Sequence, residues 1–163
     1  MKIVLLLVLL VAALVGDVVL WRRVQSLEVA VASATAPKDY PLGETMGYLQ
    51  RYADKLWFAA EAGNWDLAGY YRDELAETAE DMAGAHVVKD GVEVSKTVAQ
   101  MLPPVLKSVG EAVAAHNSAL FRERYQGLIG TCNACHQAAK HPFIHIVVPA
   151  GPSTYWNQQF STP

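Results

Sequence analysis

Hydrophobic and polar positions divide the chain into three regimes. From Ile3 to Val15 every residue is apolar, and the apolar character continues past Asp17 to Trp21. Between Ser33 and Leu42 the periodicity disappears and two prolines intervene, which reads as a linker. Beyond it, apolar residues return at helical spacing in four successive stretches. The first runs from about Glu44 to Ala62, with Met46, Leu49, Ala53, Leu56, Trp57 and Ala60 on one stripe. Gly63-Asn64 ends it, and Asn64 caps a second helix, about Trp65 to Ala83, that buries Leu67, Tyr71, Leu75, Thr78 and Met82 with acidic residues opposite. Gly84 to Val94 reads as a loop with an Asp90-Gly91 turn signal.

The third helix is expected to be capped by Ser95 and to carry Val98, Met101, Leu102, Val105, Val109 and Val113, with Pro103-Pro104 kinking it or delaying its start. The fourth begins near Ser118, after a break at His116-Asn117, and places Phe121, Tyr125, Leu128, Ile129, Cys132 and His136 on one face. From His141 the pattern stops, and Pro142, Pro149 and Pro152 favour an extended tail. Amphipathic helices of about 20 residues joined by short connections imply an antiparallel up-down-up-down bundle. The predicted fold is all-α, an antiparallel four-helix bundle with an N-terminal transmembrane helix and an extended C-terminal tail. Its predicted divisions are an anchor and helical stalk over 1–32, a linker over 33–43, the bundle over 44–140 and the tail over 141–163.

Composition sharpens the reading of the first regime. The 163 residues are 52% hydrophobic and only 18% charged, with a formal net charge of −3. Arg22-Arg23 is the sole basic cluster, so no nucleic-acid partner is expected. Ile3 to Trp21 is 19 residues, near the length that crosses a bilayer as a helix. Trp21 suits the membrane interface, and Asp17 lies within about a turn of the end of the run, where it reaches water. A cleaved signal peptide is the alternative, but the small-residue site Ala34-Thr35-Ala36 lies about 20 residues beyond the apolar core. An uncleaved anchor therefore explains more, although Arg22-Arg23 oppose an N-inside orientation by the positive-inside rule.

The chain has two cysteines, and both fall in Cys132-Asn133-Ala134-Cys135-His136. No disulfide framework is available to hold the fold. Two thiols three residues apart on a helix, with histidine next, suit covalent haem attachment: the thiols add to the two vinyl groups and the adjacent imidazole faces the iron. A redox Cys-x-x-Cys pair would normally follow a strand, and a structural zinc site would need a fourth ligand. Because such haems in bacteria are attached outside the cytoplasmic membrane, the motif sets the orientation: a single-pass protein with the haem domain on the periplasmic side.

Bundle topology indicates where a second axial ligand would come from. The end of the bundle that holds His136 also holds the start of the first bundle helix, the end of the second and the start of the third. Met46, Met82, His86 and Met101 all belong to that end. Met46 is the best placed, one turn into its helix as His136 is about one turn from the end of its own. Its alternative is a core methionine packing on the haem face, and Met82 and Met101 read as core, His86 as a solvated loop residue. His116 lies 20 residues before His136, about 30 Å along the helix, and reads as a corner residue. His141 and His145 follow the motif too closely to reach the distal face and read as tail or haem-edge residues.

On these residues the chain resembles the four-helix-bundle c-type cytochromes related to cytochrome c′, which also carry Cys-x-x-Cys-His late in the last helix and a basic residue four positions beyond, here Lys140. A narrower resemblance is to small cytochromes with a first helix like Lys55-Leu56-Trp57-Phe58-Ala59, then Gly63-Asn64-Trp65. These share Cys-Asn-Ala-Cys-His-Gln, followed by His141-Pro142-Phe143-Ile144 and a terminal Asn-Gln-x-Phe, here Asn157 to Phe160. The likeness covers about Met46 to Phe160. It implies one haem c held by Cys132 and Cys135, Lys140 near the haem edge, His136 on the iron, and Met46 as sixth ligand, as in low-spin members. Gas-binding high-spin members have an apolar residue and an empty site there. The long tail departs from the cytochrome c′ pattern.

The expected function is therefore one-electron transfer for membrane redox enzymes or complexes, tethered by the N-terminal helix. The alternatives are a gas-binding protein for nitric oxide or carbon monoxide, with an open sixth site, and an anchored haem subunit of a larger respiratory or photosynthetic complex. No His/Arg or acidic pair is evident as a distal acid–base, so no enzymatic activity is expected.

Overall fold

The computed structural model describes residues 14, 16–27, 40–151 and 158–162, and the chain divides into two units, Met1–Asp39 and Tyr40–Pro163. In the first, residues 16–27 form helix α1, on which Val18, Val19, Leu20, Trp21, Val24 and Leu27 are exposed. Among the described residues no helix is long and apolar enough to cross a membrane. Apart from Leu14, the run from Ile3 to Val15 lies outside the described residues, as do the expected linker from Ser33 to Asp39 and the site Ala34-Thr35-Ala36.

The second unit is helical, with α2 (Leu42–Glu61), α3 (Trp65–Gly84), α4 (Val94–Ala114) and α5 (Ser118–Ala138). Each packs on the next, and α2 also meets α5. Two turns of one design reverse the chain between helices. After α2, Gly63 adopts φ +72, its N–H bonds Ala60 O, and the Asn64 side chain accepts from Leu67 N–H at 3.2 Å. The turn between α4 and α5 repeats this with His116 at φ 49 and Asn117 accepting from Leu120 N–H at 3.0 Å. A left-handed residue followed by an asparagine cap satisfies the orphan groups of two helix ends in very few residues. His116 stacks on Trp65 at 5.5 Å, which makes it the corner residue its spacing predicts.

The core gathers along the bundle axis around Leu56, Met82, Val98, Val109, Phe121, Tyr125 and Leu128, all essentially inaccessible. On α3 the fully buried stripe is Ala68, Tyr71, Leu75, Ala79 and Met82, so small alanines replace the expected Leu67 and Thr78. On α2 it is Thr45, Ala53, Leu56, Ala59 and Ala60. Met46, Leu49 and Trp57 are only half-buried against it.

The region between α3 and α4 departs from the sequence expectation. Instead of an irregular loop, Val88–Lys89 (β1) and Val92–Glu93 (β2) pair antiparallel across Asp90 and Gly91, both at positive φ, as a two-residue primed turn requires. The N-cap of α4 is Glu93, with no side-chain cap bond, and Ser95 is inside the helix and buried. Its hydroxyl donates to Met82 O at 2.6 Å and accepts from Val87 N–H at 2.8 Å, tying the end of α3 to the start of α4. Ser95→Ala removes that shared partner from two backbone groups and is expected to destabilise the fold by about 1–3 kcal/mol, read from the urea unfolding midpoint. The prolines do not break α4 either. Pro103 and Pro104 are exposed, as are Ala99 and Gln100, so the carbonyls that lose helical partners face water.

Candidate functional site

The motif occupies the last turns of α5, where it meets the tail. Cys132 and His136 are one turn apart on the same face and half-buried, while Cys135 is the buried member, at 8% exposure. The expected stripe had Cys132 and His136 innermost. Both cysteines are free thiols. Burial pushes the Cys132 thiol up to about 11, with the Cys135 sulfur adding to the effect, and burial raises Cys135 as well. Protonated thiols late in a helix, where the dipole disfavours a thiolate, are the opposite of the low-pKa pair of a disulfide oxidoreductase.

His136 carries the defining contact of the site. Its Nδ1 lies 2.9 Å from the carbonyl oxygen of Ile144. A carbonyl only accepts, so Nδ1 is the protonated nitrogen, and the lone pair of neutral His136 is left on Nε2. This is the state a metal-bound imidazole needs. The neighbouring Asn133 side chain clamps the same tail segment: its Nδ2 donates to Ile146 O and its Oδ1 accepts from Ile146 N–H, both at 2.8 Å. The α5 C-cap launches that segment. Lys140 takes φ 63 there and its N–H bonds Gln137 O, while His141 N–H bonds His136 O at 2.8 Å. Lys140, expected at the haem edge, is thus the left-handed residue that turns the chain back, with an exposed side chain. His141 bonds Ala139 O through Nδ1 and stands against Phe143, and His145 is exposed.

The helix register shows which residues stand level with the motif. Tyr125 donates its hydroxyl hydrogen to Ala53 O at 3.0 Å, Trp57 meets the Tyr125 ring at 4.8 Å, and Arg122 forms a two-pronged ion pair with Glu61. Stepping seven residues outward from Ala53 and from Tyr125 reaches Met46 and Cys132; eleven residues from Trp57 and from Tyr125 reach Met46 and His136. In an antiparallel pair both steps carry Met46 to the height of the motif. On the other side, a Cβ on Gly127 would touch Val105 at 3.9 Å. Four residues outward from that pair lie Met101 and Thr131, so Met101 shares the height from α4. Both methionines are half-buried. Met82 is fully buried on α3, and His86 is exposed at φ 54 beyond its end.

The two approaches to the motif differ in packing. Of the adjacent helix pairs, α2 and α5 make by far the sparsest contact. The contacts named above lie between Ala53–Glu61 and Phe121–Tyr125, in the half remote from His136. At the motif end the tail is bonded to α5. The α2–α5 seam, on which Met46 and Cys132–His136 stand level, is therefore the sparsest in the bundle. Asp54 stands on this seam too: burial raises its carboxyl above the usual range, and its charge adds to the burial that raises the Tyr125 phenol.

Sequence reasoning missed Asn133 and the tail carbonyls. A faint signal exists, since Ile144, Ile146 and Val148 alternate with a period of two, and Ile146 and Val148 pack on the core. Among the described residues no group of three or more His, Cys, Asp or Glu is gathered to hold a bare metal ion. A porphyrin-bound iron brings four in-plane nitrogens of its own and asks the protein only for axial donors, which the free Nε2 of His136 and a thioether level with it fit. No protein-family model matches the chain, and no curated protein or solved structure matches it.

Proposed function

We propose that this chain is a monohaem c-type cytochrome of the four-helix-bundle kind, a carrier of single electrons tethered to the outer face of the cytoplasmic membrane by its N-terminal apolar run. The observation that carries the proposal is the last turn of α5. Two protonated thiols lie there beside an imidazole whose Nδ1 faces a backbone carbonyl, the contact that leaves Nε2 as the nitrogen for a metal. Cys132 and Cys135 would form the thioethers to haem c, and His136 and Met46 would hold its iron. The haem, when bound, supplies a one-electron iron couple. The chain's own work is to place, shield and tune it. The sparse seam between α2 and α5 leaves a flat group its way in, and Trp57, Phe121 and Tyr125 form an apolar floor below it. A thioether from Met46 is a soft donor that favours the reduced metal and so raises the potential. The exposed apolar surface of α1 suits the continuation of an anchor, which would keep the carrier near its membrane redox enzymes.

One fractionation tests these assignments together. In cells that attach haem covalently, the protein is expected in the membrane fraction with Met1 or Lys2 at its N-terminus, and acid–acetone is expected to leave the haem on the polypeptide. Free haem in the acetone phase overturns the cytochrome assignment. A soluble chain beginning at Pro37 replaces the anchor with a cleaved signal.

A further inference from the structure

We infer that the C-terminal tail is a proximal brace, with Asn133 the positioning residue through which it acts on His136. This rests on the haem reading above and adds to it a control of the metal that the Cys-x-x-Cys-His motif does not contain. The geometry is complete on the protein side. Asn133 and His136 lie one turn apart on α5, about 4.5 Å along the axis at 1.5 Å per residue. Ile144 and Ile146 lie two residues apart in the tail, at most about 7 Å at full extension. The two rows run antiparallel, with Ile146 on Asn133 and Ile144 on His136. The Asn133 amide makes both bonds to one residue, as a residue in a β-ladder does, and only one orientation of the amide satisfies both.

This clamp sets where the Ile144 carbonyl stands. The carbonyl belongs to an exposed segment without secondary structure of its own, yet it must stay within 2.9 Å of Nδ1 to hold the ring. Two-point attachment of the residue two positions further on removes the freedom to swing away. Further anchors hold the tail to the core: Ile146 and Val148 pack on it, Phe160 meets the Phe58 ring at 5.4 Å, and Gln158 accepts from the Tyr71 hydroxyl at 2.7 Å. An Nδ1–H bonded to a carbonyl makes the imidazole a stronger donor at Nε2, which favours the oxidised metal. The brace therefore lowers the reduction potential, opposing the Met46 thioether.

The test is a redox titration of the haem-loaded full chain, wild type against Asn133→Ala and Ile146→Pro. Asn133→Ala removes both clamp bonds. It is expected to raise the reduced-to-oxidised ratio at fixed ambient potential about tenfold, which for one electron is an upward shift of about 59 mV. Ile146→Pro deletes the Ile146 N–H donor, along with a side chain that packs on the core, but leaves the carbonyl that accepts from Asn133 Nδ2; it is expected to move the potential less, in the same direction. In wild-type protein labelled with ¹⁵N-histidine, the Nδ1–H of His136 is expected to be protected from solvent exchange, and in Asn133→Ala to exchange quickly. This labelled signal decides the matter if the variants fail to fold. An unchanged potential in Asn133→Ala, or rapid exchange in the wild type, overturns the brace while leaving the cytochrome assignment standing. A wild-type chain that attaches no haem overturns that assignment instead, whatever the tail does.

Discussion

With Cys132 and Cys135 both replaced by alanine, the protein is expected to give up all of its haem to acid–acetone, while each single replacement retains it through one thioether. The expectation follows from the chemistry of the motif: each thiol adds across one vinyl group, and the chain has no third cysteine to substitute. The pyridine haemochrome spectrum distinguishes the cases, because each unsaturated vinyl group left on the ring moves the reduced band to longer wavelength. The fold should survive. Cys132 is half-buried and Cys135 is a small buried hydrophobe, so losing the sulfur atoms costs about 1 kcal/mol each, and circular dichroism should stay helical. Covalent haem retained by the double variant would place attachment outside the motif and sink the assignment. His136→Ala is the complementary case, in which haem stays attached but loses its axial imidazole.

Met46→Ala should produce the second large change. Methionine–iron bonding gives the oxidised protein a weak absorption band near the red end of the spectrum. The variant is expected to lose that band, to bind carbon monoxide at least about tenfold more tightly, and to have a lower reduction potential, since a soft donor to the reduced metal is gone. Met101→Ala is the decisive control. It stands at the same height on α4, but α4 packs on α5 far more densely than α2 does. Loss of the band in Met101→Ala and its survival in Met46→Ala would move the ligand to α4. If neither substitution changes the spectrum, the sixth position is open, and gas binding replaces electron transfer as the function.

In the proposed cytochrome the brace and the Met46 thioether would act on the same couple in opposite directions, so their substitutions separate cleanly. Asn133→Ala raises the potential and leaves the red-end band, whereas Met46→Ala lowers it and removes the band. Both sets of measurements use one preparation of the haem-loaded chain.

The sequence by itself determined the four bundle helices, because a period of 3.6 sustained over about 20 residues is a strong local signal. It also determined the turns at Gly63-Asn64 and His116-Asn117, because capping acts within three residues. The motif was legible for the same reason: three reactive groups within five residues share a helical face wherever the helix packs. It did not determine what short or distant pieces do. The hairpin between α3 and α4 has strands of two residues, too few for any periodicity, although its Asp90-Gly91 turn was visible. Ser95 looks like a helix cap until the end of α3 arrives beside it, and Pro103-Pro104 look like a kink or a late helix start until their face proves to be solvent. Above all, the tertiary structure decided the surroundings of His136. Its partner is a backbone carbonyl eight residues away, set there by an asparagine clamped to a residue thirteen away. Every residue type carries the same carbonyl, so no side-chain pattern reveals which one a histidine will meet; only the path of the folded chain does.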